Sequence, residues 1–441
     1  MAASEHAERT YRDLIGDCVH CGFCLPACPT YQSWGDEMDS PRGRIDLMKG
    51  VADGVIALDA GVAAHFDACL GCMACVTACP SGVQYGTLIE ATRARVEAEV
   101  PRAPWDRAFR EAIFALFPYP ERLRALGVPL ALYAASGLQR FVRRSGLLRL
   151  LPARLAQLDA LLPAVTLADL RRDAAPFTGA KDGRVRAKVG LVAGCVQRAF
   201  FPNVNAATVR VLSAEGCDVS VPSGQGCCGA LSLHSGRLDE AKRFARALID
   251  RFAAERVDTV VVNAAGCGST LKEYGELLAG EPAYAERART FSAKVRDVSE
   301  FLAGLVPQAP RGRIERRVAY HDACHLAHAQ GVREAPRELL RSIPGLELLE
   351  IPSGDTCCGS AGTYNIFEPE AAHEIGARKA DAVAAVAPDI LASANPGCTI
   401  QIQSIMRERG AELAAAHPIE LLDAAIRAAS GDSTKSRYSN R

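Results

Sequence analysis

Eight of the seventeen cysteines fall in the first hundred residues, in two runs of identical spacing. Cys18, Cys21, Cys24 and Cys28 precede Pro29, and Cys69, Cys72, Cys75 and Cys79 precede Pro80. Each run spells C-x2-C-x2-C-x3-C-P. Two-residue gaps let a tight loop present three thiolates to three corners of an iron–sulfur cubane, and the proline turns the fourth cysteine away. Where two such runs share a domain, the fourth cysteine of each ligates the other cluster. The expected sets are therefore Cys18, Cys21, Cys24 and Cys79 for one [4Fe–4S] cluster, and Cys69, Cys72, Cys75 and Cys28 for the other. Gly22 and Gly71 suit close approach of backbone amides to sulfide. A zinc site would more usually pair two separated knuckles or mix cysteine with histidine.

The remaining chemistry lies in the last 260 residues or so. "QGCCGA" places Cys227 beside Cys228, and "DTCCGSAG" places Cys357 beside Cys358. Adjacent cysteines form only strained disulfides, so a different use is expected. Cys195 and Cys324, Cys227 and Cys357, and Cys267 and Cys398 are separated by 129, 130 and 131 residues. The chain is thus internally duplicated. Each cysteine follows a predicted strand, at the edge where open α/β sheets bind ligands. Three loops would gather four thiols per copy: Cys195, Cys227, Cys228 and Cys267, then Cys324, Cys357, Cys358 and Cys398. Cys217 falls outside the repeated set and reads as a small buried residue. His321, Asp322 and His325 surround Cys324 and are expected to support that cysteine loop rather than act as an acid–base pair.

Other elements must position these groups. "SPRGRIDLMKGVADG" reads as a helix capped by Ser40 with Pro41 at its first position. Residues from about 86 to 180 carry apolar residues at helical spacing, broken by prolines, and contain no cysteine. Such a stretch is a helical connector whose apolar stripe packs on its own domains, or a basic amphipathic face for a membrane surface or partner. The fold class expected is α+β and multidomain. A helical two-cluster domain (1–100) is followed by a helical linker (101–185), two repeated α/β cysteine-rich domains (186–312 and 313–428) and a polar tail (429–441).

Composition narrows the function. Lysine plus arginine balances aspartate plus glutamate at 51 each, which argues against nucleic acid as a partner. The N-terminal segment lacks the apolar run of a secretory signal and no stretch reads as membrane-spanning, so a cytoplasmic location is expected. In a reducing compartment the cysteines should be thiols or metal ligands. No G-x-G-x-x-G follows a strand, and there is no P-loop or nucleophile–base motif. No catalytic residue and no flavin or nicotinamide site is expected in this chain.

Twin cluster motifs followed by two "CCG" domains resemble the iron–sulfur subunits of flavin-linked dehydrogenases. Within that group, "GCVQRAFFPNVNAAT", "GQGCCGALSLH", "NAAGCGSTLKEYG", "YHDACHLAHAQG", "CCGSAGTYNI" and "HPIELL" are most similar to the glycolate oxidase iron–sulfur subunit. The resemblance implies two [4Fe–4S] clusters, a flavoprotein partner that oxidises glycolate to glyoxylate, and onward transfer to a membrane quinone. A location at the inner face of the cytoplasmic membrane would fit. Alternatives within the group are subunits of lactate or glycerol-3-phosphate dehydrogenases, or a heterodisulfide reductase-like enzyme. In that last branch each repeat ends in C-x-x-C, whereas here Cys267 is followed by Thr270 and Cys398 by Gln401. Four thiols per copy would still suffice for a further cluster, with His325 or His234 as supplementary donors.

Overall fold

The computed structural model describes residues 10–146, 150, 152–163 and 165–431; all but the first three residues of the expected polar tail lie outside them. The N-terminal domain is helical. Its Pro41–Ala52 helix starts as its sequence dictates, with Ser40 Oγ accepting from the Gly43 amide at 3.0 Å and Pro41 at the first position, where no amide is needed. Leu14, Ile15, Met48, Phe66, Leu88 and Ile89 form its core. That core backs the two cysteine loops.

Residues Pro104–Leu116, Pro120–Ala135, Leu138–Ser145, Ala153–Ala160 and Leu167–Leu170 are helices, as the apolar periodicity predicts. Much of their apolar stripe is committed to the chain itself. Phe109 and Phe114 each lie 6.1 Å from the ring of Phe367, Arg237 pairs with Glu111 at 2.8 Å, and Ser404 Oγ donates to the Ala160 carbonyl at 2.9 Å. An outer face remains uncovered, with Leu132, Leu138 and Phe141 exposed. No described helix is long and apolar enough to cross a membrane.

Two sheets follow. The first contains β1 (Phe177–Thr178), β2 (Ala187–Val192), β3 (Cys217–Ser220), β4 (Thr259–Val262) and β5 (Val295–Asp297), in the order β1-β3-β2-β4-β5. The second contains β6 (Arg317–His321), β7 (Glu347–Glu350), β8 (Ile390–Ser393) and β9 (Ala414–Ala416), in the order β7-β6-β8-β9. Without β1 the two orders are the same, and all these pairings are parallel. Duplication is therefore visible in topology as well as in cysteine spacing. β1 pairs antiparallel with β3, so the first sheet begins at residue 177, inside the segment expected to be linker.

The register fixes equivalence between copies residue by residue. Val189 pairs with Thr259 in the first copy, and Val318 with Ile390 in the second. The copies face each other across one shared core, in which Leu191, Leu212, Tyr320, Leu340, Leu421 and Leu422 are buried together. Arg210 closes its edge with paired hydrogen bonds to Asp423 at 2.7 and 2.9 Å.

Candidate metal centres

The two N-terminal loops share a backbone shape. In each, the residue before and the residue after the second cysteine are left-handed: His20 (φ 55°) and Gly22 (φ 84°) around Cys21, Gly71 (φ 61°) and Met73 (φ 62°) around Cys72. Glycine takes this conformation freely, while His20 and Met73 take it at a cost of about 1–2 kcal/mol each. The same two bends in both loops curl the chain around a common centre. Cys18, Cys21, Cys24 and Cys79 line one cavity with Cys75, Ile45, Val83 and Tyr85, so two cysteines of the other run reach it. Cys21 is exposed, and Val19 and Phe23 beside it are 67% and 66% exposed.

Cys28, Cys69, Cys72 and Cys75 are all buried. Burial pushes the Cys72 and Cys75 thiols well up, and mutual proximity adds to it: Cys72 feels Cys324, Cys75 and Cys28, and Cys75 feels Cys69, Cys28 and Cys24. Four sulfurs so placed cannot all ionise without a cation among them, so the donor set fits an iron–sulfur core. Burial would also raise Cys69, but Arg44 and Arg93, with the Tyr85 hydroxyl at 3.6 Å and the Gly71 amide at 3.4 Å, outweigh it and hold that thiol low. Arg44 is itself buried and tied to the His65 carbonyl at 2.6 Å and to Asp39 at 3.2 Å.

In the first repeat the sulfurs form a chain. Cys195 Sγ lies 3.6 Å from Cys227 Sγ, Cys227 contacts Cys228, and Cys228 contacts Cys267. Donation from Cys227 and Cys267 pulls the Cys228 thiol well down. Gly229 (φ 86°) makes the turn after the pair. A Cβ there would meet the Ala241 carbonyl at 3.0 Å, so glycine also permits the helix to pack close. Cys267 was expected in a loop; it stands instead in the first turn of the Ala265–Lys272 helix, as Cys398 does in Pro396–Glu408. In each copy the helix begins three residues after the strand's last residue, Val262 or Ser393, so it starts almost at once. Cys217 is fully buried in β3, as its position outside the set predicts.

The second repeat reproduces the series Cys324, Cys357, Cys358 and Cys398, with Gly359 (φ 84°) in the equivalent turn. Its surroundings differ. His321, the last residue of β6, is fully buried, and one of its ring nitrogens lies within 4.8 Å of the sulfurs of Cys358 and Cys398. Lys379, 2% exposed, donates to the Ser353 and Gly354 carbonyls at 2.7 and 3.0 Å beside the same sulfurs. Asp322 is committed to Arg337 at 2.6 Å, and so is no free base. Of the supplementary donors expected from sequence, His325 reaches the sulfur set and His234 is tied to a carboxylate. His325 Nδ1 is 3.6 Å from Cys324 Sγ, on a single π-helical turn (His325–Ala329), and His234 Nδ1 is bound to Glu90 at 2.9 Å. Sequence reasoning placed His321 near the cysteine loop without seeing it as a donor. Aligning the repeats shows the signal: a histidine ending an apolar strand where the first copy has Val192.

The three regions meet at one polar junction. Cys72 packs with Cys324 and Cys357 in one buried cluster, so the N-terminal domain touches the sulfurs of the second repeat. Arg93 donates to the carbonyls of His234, at 2.8 Å, and of Cys69. The rings of His234 and His325, one from each copy, are 5.0 Å apart. A cavity of about 50 Å³ beside them is lined by Cys69, Arg110 and Tyr364, room for a few waters.

Paired ferredoxin-type loops joined to two cysteine-rich α/β domains define a class, the 4Fe–4S proteins with duplicated cysteine-rich domains. A 4Fe-4S dicluster domain model matches residues 15–83, and a cysteine-rich domain model matches 189–272 and 318–403. A model of the glycolate oxidase iron-sulfur subunit linker region matches 105–162. The chain is 40% identical over 425 residues to a probable glycolate oxidase iron-sulfur subunit of Bacillus subtilis (strain 168), covering 95% of this chain and 96% of that protein. It is 35% identical to the glycolate oxidase iron-sulfur subunit of Escherichia coli (strain K12), covering 94% of each. Lactate utilization protein A of Oceanobacillus iheyensis is 32% identical over 237 residues, 54% of this chain and 96% of that protein. The chain belongs to the glycolate oxidase iron-sulfur subunit family.

Proposed function

We propose that this chain is the electron-transfer subunit of a flavin-linked glycolate oxidase, carrying electrons from a flavoprotein subunit towards quinone. The observation that carries the electron-transfer role is the succession of sulfurs from exposed Cys21, through the buried set around Cys72, to Cys324 and Cys357 of the second repeat. The relatives' names, glycolate oxidase iron-sulfur subunits, support glycolate as the substrate and a complex with further subunits. Cys18, Cys21, Cys24 and Cys79 hold one [4Fe–4S] cluster, and Cys69, Cys72, Cys75 and Cys28 the other. Each cluster, when bound, takes up and releases one electron at a time. The residues of this chain exclude water from the inner set, hold Cys69 as thiolate through Arg44 and Arg93, and leave the outer loop open.

Val19 and Phe23, exposed beside Cys21, suit the apolar centre of a partner interface and support docking of the flavoprotein there. The apolar outer face of the linker, with Leu132, Leu138 and Phe141 exposed and Arg140 between, supports contact with the inner surface of the cytoplasmic membrane.

The test is glycolate-dependent dye reduction by the purified chain, alone and with its flavoprotein. Activity is expected only with the partner, and turnover by this chain alone would refute the carrier role. Vesicles containing anionic lipid should retain the complex, and Phe141→Asp should release it.

A further inference from the structure

A cavity of about 410 Å³ lies where both repeats and the linker meet, lined by residues that none of the cysteine sets uses. Phe200 and Phe201 of the first repeat and Ile400 of the second give it apolar walls. Gln197, Ser393 and His417 also line it, each more than nine-tenths buried. Each of the three keeps one polar atom without a hydrogen bond: Gln197 Oε1, Ser393 Oγ and His417 Nε2. Buried polar atoms are nearly always paired, so three unpaired ones around one cavity mark a place where a ligand belongs. An apolar pocket of several hundred Å³ with a few convergent polar atoms is the form that small-molecule sites take.

The polar atoms differ in kind. His417 Nδ1 accepts from the Ile419 amide at 3.1 Å, so the ring hydrogen is on Nε2, and burial keeps the imidazole neutral. Nε2–H is thus a donor, with the Asn263 backbone beside the ring but no hydrogen bond of normal geometry. The Gln197 amide nitrogen donates to the Asn263 carbonyl at 3.5 Å, which leaves Oε1 as an acceptor. Ser393 Oγ can serve either way. Such a site suits oxygens that accept in one state of the ligand and donate in another.

The duplication supplies a control. Repeat offsets and strand register put Leu326 in the place of Gln197, Val262 in that of Ser393 and Asp297 in that of His417. Gln330, in the place of Phe201, lies so close to Gly268 that a Cβ there would meet it at 2.7 Å, and it donates to the Ala265 carbonyl at 2.9 Å. The equivalent place thus has a side chain packed into it and lacks two of the three polar groups. Position adds to this. Gln197 stands two residues after Cys195 on the Val196–Phe200 helix, and Thr399, also in the wall, directly follows Cys398 on Pro396–Glu408. The cavity therefore borders the sulfur series of both copies. Pro163 of the linker lines it too, and the Ala160 carbonyl accepts from Ser404 and Arg407. The same linker carries the exposed Leu132, Leu138 and Phe141.

We propose that this cavity binds the head group of a quinone, with His417 Nε2–H and Ser393 Oγ–H donating to its carbonyl oxygens and Gln197 Oε1 accepting from a hydroxyl formed on reduction. The proposal rests on the electron-carrier reading and names the place where the electrons leave. Two electrons arrive one at a time through the carrier, two protons come from water, and both C=O groups become C–OH.

The experiment uses the full chain assembled with its flavoprotein, and ubiquinone-1, a quinone of short tail, as probe. Equilibrium dialysis should show ubiquinone-1 bound to the wild type. His417→Asn retains an acceptor for the cap of the Pro418–Ala429 helix but has no Nε2–H. It should weaken binding and raise the KM for ubiquinone-1 about tenfold, the loss of one well-placed hydrogen bond. Ile400→Trp fills the cavity and should abolish binding. A photoreactive azidoquinone should label the wild type within residues 196–204 or 393–417, a measurement that needs no variant. The proposal is overturned if the wild type retains no ubiquinone-1, if labelling falls only outside those residues, or if either variant, with wild-type iron content, binds the probe as tightly as the wild type does. Failure of glycolate to bleach the iron–sulfur absorbance of the wild-type complex would instead overturn the carrier reading, whatever the dialysis shows.

Discussion

The two cysteine-rich repeats share strand order, the four-sulfur series and the left-handed glycine after the doubled cysteine, yet the sulfurs sit in different media. Around Cys228 and Cys267 the first copy places Val192, Leu248 and Val262. Beside Cys358 and Cys398 the second places His321 and Lys379. The sulfur geometry is thus held by the scaffold, which both copies inherit, while its chemistry is set by a few neighbouring side chains that only one copy has. Packing tells the same story, since Cys72 reaches the second set.

The largest effect should come from cutting each set in turn. Cys358→Ser is expected to lower glycolate-dependent acceptor reduction by the complex by tenfold or more, roughly the loss usual for a disturbed metal site, while Cys228→Ser changes it by less than about threefold. Equal losses would mean that both copies serve transfer. Next is the reverse graft. Val192→His buries an unpartnered imidazole in the first copy and should cost about 1–3 kcal/mol in denaturant unfolding of iron-free protein. No cost would show that the first pocket is already polar.

Lys379→Met removes a buried positive charge beside Cys357, Cys358 and Cys398. The oxidised state gains relative to the reduced one, so redox titration should find one potential lowered by on the order of 60 mV, one tenfold step for a single electron. The smallest effect concerns two helix caps, each with a capping box: Asp297 accepting from the Ser299 amide in the first copy, His417 accepting from that of Ile419 in the second. Burial lowers His417 to about 3 and raises Asp297 to about 6. The buried neutral His417 contributes stability above its unfolded value, lost as pH falls from about 6.5 towards 3. Protonated Asp297 contributes below about 3.9, and its share is lost as pH rises through about 6. From pH 7 to 6 the His417 share should fall by about 0.7 kcal/mol. His417→Asn should remove that slope in thermal unfolding, and Asp297→Asn should remove the opposite one.

Much of this was legible in the sequence. Cysteine spacing marked both N-terminal runs as candidate cluster loops, because a cubane imposes short, fixed intervals on its loop. Offsets of 129 to 131 residues exposed the duplication, and Ser40 with Pro41 announced a helix start, because both are local requirements of backbone geometry. What the tertiary structure decided is non-local. The β1 strand depends on an edge offered by β3, and the stacking of both copies on one core brought His234 to His325. The packing of the N-terminal domain brought Cys72 to Cys324 and not to Cys195. His321 is the sharpest case: the sequence placed it near a cysteine loop, but only strand register and burial show its unpaired nitrogens facing sulfur, because burial without a partner is a property of the packed interior.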